Sequence, residues 1–180
     1  MPDSDQKQTV YEGRYLRLCL EGRWEYAERT NAGSAVIIIA RTPEDKLLFV
    51  EQYRVPLGRN TIEMPAGLVG DLDDEDTMES AAKRELLEET GWRAGHVEVL
   101  MVGPTSSGLS NELIAFVRAT ELTRIHAGGG DDSEDITVHE VPVAEAAQWL
   151  ARKMTEGYPM DPKLWAGLWL LDKNPDGTSV

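Results

Sequence analysis

The sequence predicts an α+β protein, and three observations carry that expectation. Strand-like patterns fill most of the first two thirds, one well-punctuated helical segment sits at 77–90, and two further helical patterns close the chain at 142–154 and 161–172. No internal repeat and no linker interrupts the 180 residues, so a single domain is expected, with residues 1–32 as N-terminal strands belonging to the same domain as 33–180.

Residues 13–30, GRYLRLCLEGRWEYAERT, alternate apolar and polar positions around a Glu21-Gly22 break, which predicts a β-hairpin. The run SAVIIIA at 34–40 is continuously apolar and of strand length, and KLLFVEQYR at 46–54 follows after the turn residues 42–45. Both belong in the core. Between 55 and 76, Pro56, Gly58, Pro65, Gly67 and Gly70 leave only 61–64 as extended chain. Strands resume at 96–102, 113–119 and 136–141, divided by a loop at 103–108 and a glycine loop at 128–135 that reads as flexible and acidic. That glycine triplet is not a phosphate loop, because it lacks both G-x-G-x-x-G and a following Lys-Ser/Thr.

The central helix is marked at both ends. Asp76 is the expected N-cap with Glu79 as its capping-box partner, no Pro or Gly interrupts 77–90, and Gly91 supplies the left-handed residue past the end. At about 100° per residue, Glu85 and Glu89 fall inside the arc of Met78, Ala81, Ala82 and Leu86, with Glu88 at its edge. Ionised carboxylates on a packed face are costly unless a cation binds them. Oxygen ligands without nearby Cys or His favour magnesium or manganese over zinc. Arg84, one turn before Glu88, is placed to orient a carboxylate. The acidic run 71–76 is not a calcium loop: its sixth position is Asp76 where Gly is needed, and its twelfth is Ala82 where a bidentate Glu is needed. It reads as a solvated insertion.

Composition narrows the function classes. A formal net charge of −14 disfavours nucleic-acid backbones. The polar start MPDSDQKQTV and the lack of any apolar run near the roughly 18 residues of a membrane span predict neither leader nor anchor. The single Cys19 excludes an internal disulfide and a Cys-rich zinc site, and fits a reducing, cytoplasmic setting. His96, His126 and His139 lack ligand spacing, and no G-x-S-x-G surrounds Ser106 or Ser107.

Residues 84–92, Arg84-Glu85-Leu86-Leu87-Glu88-Glu89-Thr90-Gly91-Trp92, resemble the core of the Nudix box, G-x5-E-x7-R-E-U-x-E-E-x-G-U with U apolar. Counting back places Asp76 at the box glutamate and Gly70 at its first glycine. Met64-Pro65-Ala66-Gly67-Leu68, however, resembles the PAG-L run of the family's ADP-ribose pyrophosphatases, which would make Gly67 the opening glycine and the acidic loop three residues longer. The resemblance implies the Nudix fold, a mixed β-sheet sandwiched between α-helices, and magnesium-dependent cleavage of a nucleoside diphosphate sugar, with manganese as a substitute. ADP-ribose is favoured, with AMP and ribose 5-phosphate as products. GDP-mannose or another sugar nucleotide, and a non-catalytic nucleotide-sugar-binding module, are the alternatives.

The resemblance also assigns residues. Glu85, Glu88, Glu89 and the Ala66 carbonyl would hold metal. Glu134, just before the strand at 136, would be the general base, with Asp132 and Asp135 as competitors. Arg54 matches a phosphate-contacting arginine, and Glu112 a functional acid before a core strand. Trp24-Glu25-Tyr26-Ala27-Glu28-Arg29 is similar to the strand whose aromatic stacks on adenine, whose acid meets the base edge and whose arginine reaches the diphosphate across a homodimer.

Overall fold

The computed structural model describes residues 6–71, 75–130 and 134–180. Asp132 and residues 72–74 of the acidic run therefore lie outside the described residues. Three strands open the chain, β1 (Gln8–Glu12), β2 (Leu16–Glu21) and β3 (Trp24–Arg29), in an antiparallel meander. The expected hairpin is β2–β3, with Gly22 at φ 59° in its turn. The extra strand β1 has no buried residue, so no apolar alternation marks it in the sequence.

The rest is built on β4 (Ser34–Ala40), β5 (Lys46–Arg54), β6 (Arg59–Glu63), β7 (Ala66–Val69), β8 (Trp92–Pro104), β9 (Leu113–Arg124) and β10 (Ile136–Pro142). These form a four-stranded sheet in the order β7-β4-β9-β8 and a three-stranded sheet in the order β10-β5-β6. The first is mixed, since β4 runs parallel to β9 and antiparallel to β7. Strand β4 explains its own sequence: Val36, Ile38 and Ala40 pack with Ala81, Ala82 and Leu86, while Ile37 and Ile39 pack with Phe49, Leu150 and Leu164. A strand covered on both faces reads as an unbroken apolar run. The helices are α1 (Met78–Thr90), α2 (Ala146–Thr155), entered through a 3-10 turn at Val143–Glu145, and α3 (Lys163–Leu170).

Two expectations around α1 are corrected. The N-cap is Thr77, not Asp76: its backbone is extended and its hydroxyl accepts the Ser80 N–H at 3.1 Å, Ser80 replacing Glu79 in the capping box. Asp76 is taken up instead by Arg84 at 3.3 Å and by the Ser80 hydroxyl. The segment before α1 also holds a second strand, β7, which pairs with β4 from Ser34↔Val69 to Ile37↔Ala66. At four residues with a central glycine it is too short for a period-2 signal. The C-terminal end matches expectation, with Gly91 at φ 74° and its N–H bonded to the Leu87 carbonyl.

The N-terminal sheet is stitched to the loop before β9. Ala27 N–H donates to the Leu109 carbonyl at 2.8 Å, Asn111 N–H to the Ala27 carbonyl at 3.4 Å, and Asn111 Nδ2 to Glu28 at 2.9 Å.

Candidate active site

The site forms where β7 crosses α1. A Cβ on Gly67 would stand 1.9 Å from the Glu85 Cδ, so glycine here is what lets the Glu85 carboxylate lie against the strand. One turn on, Glu89 is 2% exposed, and one carboxylate oxygen accepts the Ala66 N–H at 3.1 Å. Burial pushes both carboxyls up. Glu85 reaches about 7 despite the opposing Arg84, and Glu89 rises well above its ordinary value, with Glu134 and Glu85 adding repulsion to its desolvation. Glu88, at the edge of the arc as the helical spacing predicts, keeps 46% of its side chain exposed.

Arg84 ties this helix face to the loop before it. Its guanidinium reaches Glu85 at 2.6 Å, the Leu68 carbonyl at 3.1 Å, Asp76 at 3.3 Å, Asp71 at 3.5 Å and Glu88 at 3.6 Å. The described ends of the acidic run, Asp71 and Asp76, are thus partners of Arg84 and not solvated bystanders.

A cavity of about 350 Å³ opens beside these residues and brings together Arg29, Arg54, Ala66, Glu85, Glu89 and Glu134. Gln52 and Asp71 line it as well, residues that no motif marks. Arg54 arrives already paired, donating to both oxygens of Glu63 at 2.8 and 2.7 Å. Arg29 also lines a smaller depression of about 190 Å³ and is ion-paired with Glu112, which flanks the cavity through that depression and is absent from its wall. Asn111 lines that depression too, and joins it to a groove of about 580 Å³ walled by Trp24, Tyr26, Arg23 and Ser110. One track therefore runs from Trp24 past Asn111 and Arg29 to the buried glutamates, all of it on one chain. Glu25 is left out: it lines neither the groove, the depression nor the cavity. Glu88, Arg84 and Asp135 do not line the cavity.

Among the described residues no three acidic or imidazole side chains converge in metal-ligand geometry. Glu85 is turned to Arg84 and Glu89 to the Ala66 N–H. The donor set still fits a hard divalent cation. It is all oxygen, it includes a carboxylate 2% exposed whose ionisation is opposed by its surroundings, and two more carboxylates, Glu85 and Glu88, stand before it on the same helix.

A family model described as the NUDIX domain matches residues 31–163, and the chain belongs to that family. It is 33% identical over 151 residues to a "Methanol dehydrogenase activator" of Bacillus methanolicus, covering 80% of each chain. An "ADP-ribose pyrophosphatase" of Bacillus subtilis (strain 168) is 31% identical over 147 residues, 78% of each. A "GDP-mannose pyrophosphatase" of Escherichia coli (strain K12) is 34% identical over 124 residues, 64% of this chain and 63% of that one. The fold matches that of a solved "ADP compounds hydrolase" with a TM-score of 0.70 at 21% identity, over 92% of this chain and 89% of the other, which bears out the Nudix fold.

Proposed function

We propose that this chain is a Nudix pyrophosphohydrolase that cleaves the diphosphate of a nucleoside diphosphate sugar, with ADP-ribose as first choice and GDP-mannose as runner-up. The observation that carries this reading is the track from Trp24 to the glutamates. A nucleotide laid along it has its base at an exposed indole and its diphosphate between two arginines and the acids. Relatives bearing the names ADP-ribose pyrophosphatase and GDP-mannose pyrophosphatase support the same substrate class.

Nudix pyrophosphatases generally use divalent metal ions. Here Glu85, Glu88, Glu89 and the Ala66 carbonyl would hold Mg²⁺, with Mn²⁺ as a substitute, supplying charge neutralisation at the diphosphate and a more acidic water. The protein's own part is distinct. Arg54 and Arg29 hold diphosphate oxygens, each kept in place by a glutamate, Glu63 and Glu112 respectively. Arg84 fixes the Glu85 and Glu88 carboxylates. Glu134 takes a proton from the attacking water as its oxygen bonds to one phosphorus. The bridging P–O bond breaks, and the leaving phosphate departs with the electron pair. Trp24 stacks on the base. For ADP-ribose the products are AMP and ribose 5-phosphate.

The N-terminal strands, residues 1–32, complete the base site and present Val10, Tyr11, Tyr15 and Leu16 to solvent, an apolar face assigned to homodimer formation. The reading includes a cytoplasmic setting, which a lone, buried, unpaired Cys19 fits. The test is a screen with Mg²⁺ against ADP-ribose, GDP-mannose, UDP-sugars, dinucleoside polyphosphates and nucleoside triphosphates. Products are separated and read by anion-exchange chromatography, with Glu89→Gln as control. Turnover confined to nucleoside diphosphate sugars is expected. No turnover on any compound would leave a binding module.

A further inference from the structure

The last turn of α1 leaves backbone carbonyls that the helix itself cannot satisfy. In this chain the glycine loop satisfies them. Gly129 N–H donates to the Glu89 carbonyl at 2.8 Å and Gly130 N–H to the Glu88 carbonyl at 3.2 Å, while Ile125 N–H donates to the Gly91 carbonyl at 2.8 Å. The carbonyls bonded are those of the two glutamates themselves. On its other side the loop is fixed to β10, where Ile136 N–H donates to the Gly129 carbonyl at 3.1 Å.

Gly128 and Gly130 are required by space as well as by backbone angle, and Gly129, at φ 123°, by angle alone. Gly128, at φ 77°, lies so close to the helix end that a Cβ would stand 2.5 Å from the Thr90 carbonyl carbon and 2.6 Å from the Glu89 oxygen. Both are backbone atoms and cannot swing aside. Gly130, at φ 84°, would place a Cβ 2.6 Å from the Glu134 Cβ. The Gly128 N–H is held by His126 Nδ1 at 3.0 Å, which keeps the turn closed.

We infer that Gly128, Gly129 and Gly130 are positioning residues: a backbone clamp that ties the end of the Glu85–Glu89 helix to the start of β10 and so sets where Glu134, two residues before Ile136, stands relative to the acids. The clamp rests on the assignment of Glu134 as the base. It explains why glycines precede the proton acceptor: a side chain at Gly128 would lift the chain off α1, one at Gly130 would push Glu134 aside, and Gly129 needs its positive φ. A lift on the order of 1 Å is enough to cost about 100-fold in rate when reacting groups are misplaced.

The experiment compares the parent with Gly128→Ala, His126→Ala and, as a control in open space at the end of β8, Gly103→Ala. Amide hydrogen exchange in the metal-free proteins is read at Gly129 and Gly130, alongside kcat and KM with Mg²⁺ and ADP-ribose. In the parent both amides are expected to be protected. Gly128→Ala is expected to lose that protection and to fall about 100-fold in kcat with KM within threefold. His126→Ala, which removes only the acceptor of the Gly128 N–H, is expected to show the same split at about tenfold, and Gly103→Ala to match the parent. Unprotected Gly129 and Gly130 amides in the parent overturn the clamp. So does a folded Gly128→Ala that loses protection yet keeps kcat within threefold. If Gly128→Ala does not fold, His126→Ala decides, and unchanged exchange and kcat in it overturn the clamp. A parent that turns over no sugar nucleotide fails the functional reading alone, because the exchange measurement needs no substrate.

Discussion

Arg54 donates Nε–H and Nη2–H to the two oxygens of Glu63, a two-point grip between neighbouring strands β5 and β6 that fixes the plane of the guanidinium. Burial alone would push the Glu63 carboxyl up, but hydrogen bonds from Arg54 and Thr61 outweigh it and hold the group below its ordinary value. Because the folded-state value lies below the unfolded one, the grip stabilises fully above about pH 4.5 and is lost as pH falls through the folded value. Glu63→Gln should therefore flatten the acid limb of the stability profile. Its cost near neutrality should be about 1–2 kcal/mol, towards the low end because Arg54 is 41% exposed. It should also raise KM for the diphosphate substrate more than it lowers kcat. Urea melts across pH 3–7 and steady-state kinetics check both, and an acid limb like the parent's would detach Glu63 from Arg54.

Glu89→Gln removes a charge that the fold opposes. At 2% exposure, with burial, Glu134 and Glu85 all pushing the carboxyl up, the metal-free variant should melt no lower than the parent. In the parent, Mg²⁺ at 100 times its Kd should add about 2.7 kcal/mol of stability, and EDTA should remove it. The variant should lose most of that gain together with most turnover. Thermal melts with and without Mg²⁺ give the answer, and a full metal shift in the variant would take Glu89 out of the ligand set.

Much of the fold is legible in the sequence because burial leaves a simple signature. Strands β4 and β5 match their apolar runs residue for residue, since each is covered well enough to need no polar alternation. Helix α1 is legible from Gly91 and from the apolar arc that Glu89 shares. What the sequence does not mark is made by contacts across the chain. Strand β7 owes its extension to pairing with β4, β1 owes its own to β2, and Glu63 meets Arg54 only after β5 and β6 are aligned. The N-cap falls to Thr77 because Arg84, eight residues further on, draws Asp76 away. Six of the candidate site residues meet in one cavity, whereas Glu25 does not. Arg29 shares Glu25's face of β3 but stands at the cavity end of the strand, whereas Glu25 stands four residues away at the other end.

Trp24 is 59% exposed at the start of β3 and supports little of the core. Its truncation to Ala should leave stability within about 0.5 kcal/mol. A base stacked on an aromatic side chain is worth about 1–3 kcal/mol, so KM for ADP-ribose should rise roughly tenfold while kcat changes little. Kinetics on ADP-ribose and a melt test this, and an unchanged KM would move the base elsewhere.

Arg29 lines the cavity of its own chain, alongside Glu85, Glu89 and Glu134, whereas the resemblance implies an arginine reaching across a dimer. Subunit mixing separates the two arrangements. Arg29→Ala and Glu89→Gln should each be nearly inactive, and after co-refolding they should stay so, because every subunit then carries one defect in its own site. A site shared across a two-fold dimer would instead recover about a quarter of the parent's activity, from one intact site in each mixed dimer. Recovery of that size would reassign Arg29 to the partner.

Gly67 gives the sharpest test of the metal face, because its backbone has no positive φ and only space forbids a side chain there. In Gly67→Ala the new methyl would meet the Glu85 Cδ at 1.9 Å and its Cγ and Oε1 at 2.2 Å. The atoms met are the far end of a flexible side chain, so the carboxylate can swing aside, and stability should fall by less than about 1 kcal/mol. The displaced carboxylate also loses its place beside Arg84 and the cavity wall. Disturbing the orientation of a metal ligand typically costs 10–100-fold in affinity, so Mn²⁺ binding should weaken by about that factor and kcat at fixed Mg²⁺ should drop with it. Titration calorimetry with Mn²⁺ measures the first and steady-state turnover the second. A variant that binds Mn²⁺ and turns over within twofold of the parent would show that Glu85 holds no cation, leaving the site to Glu88 and Glu89.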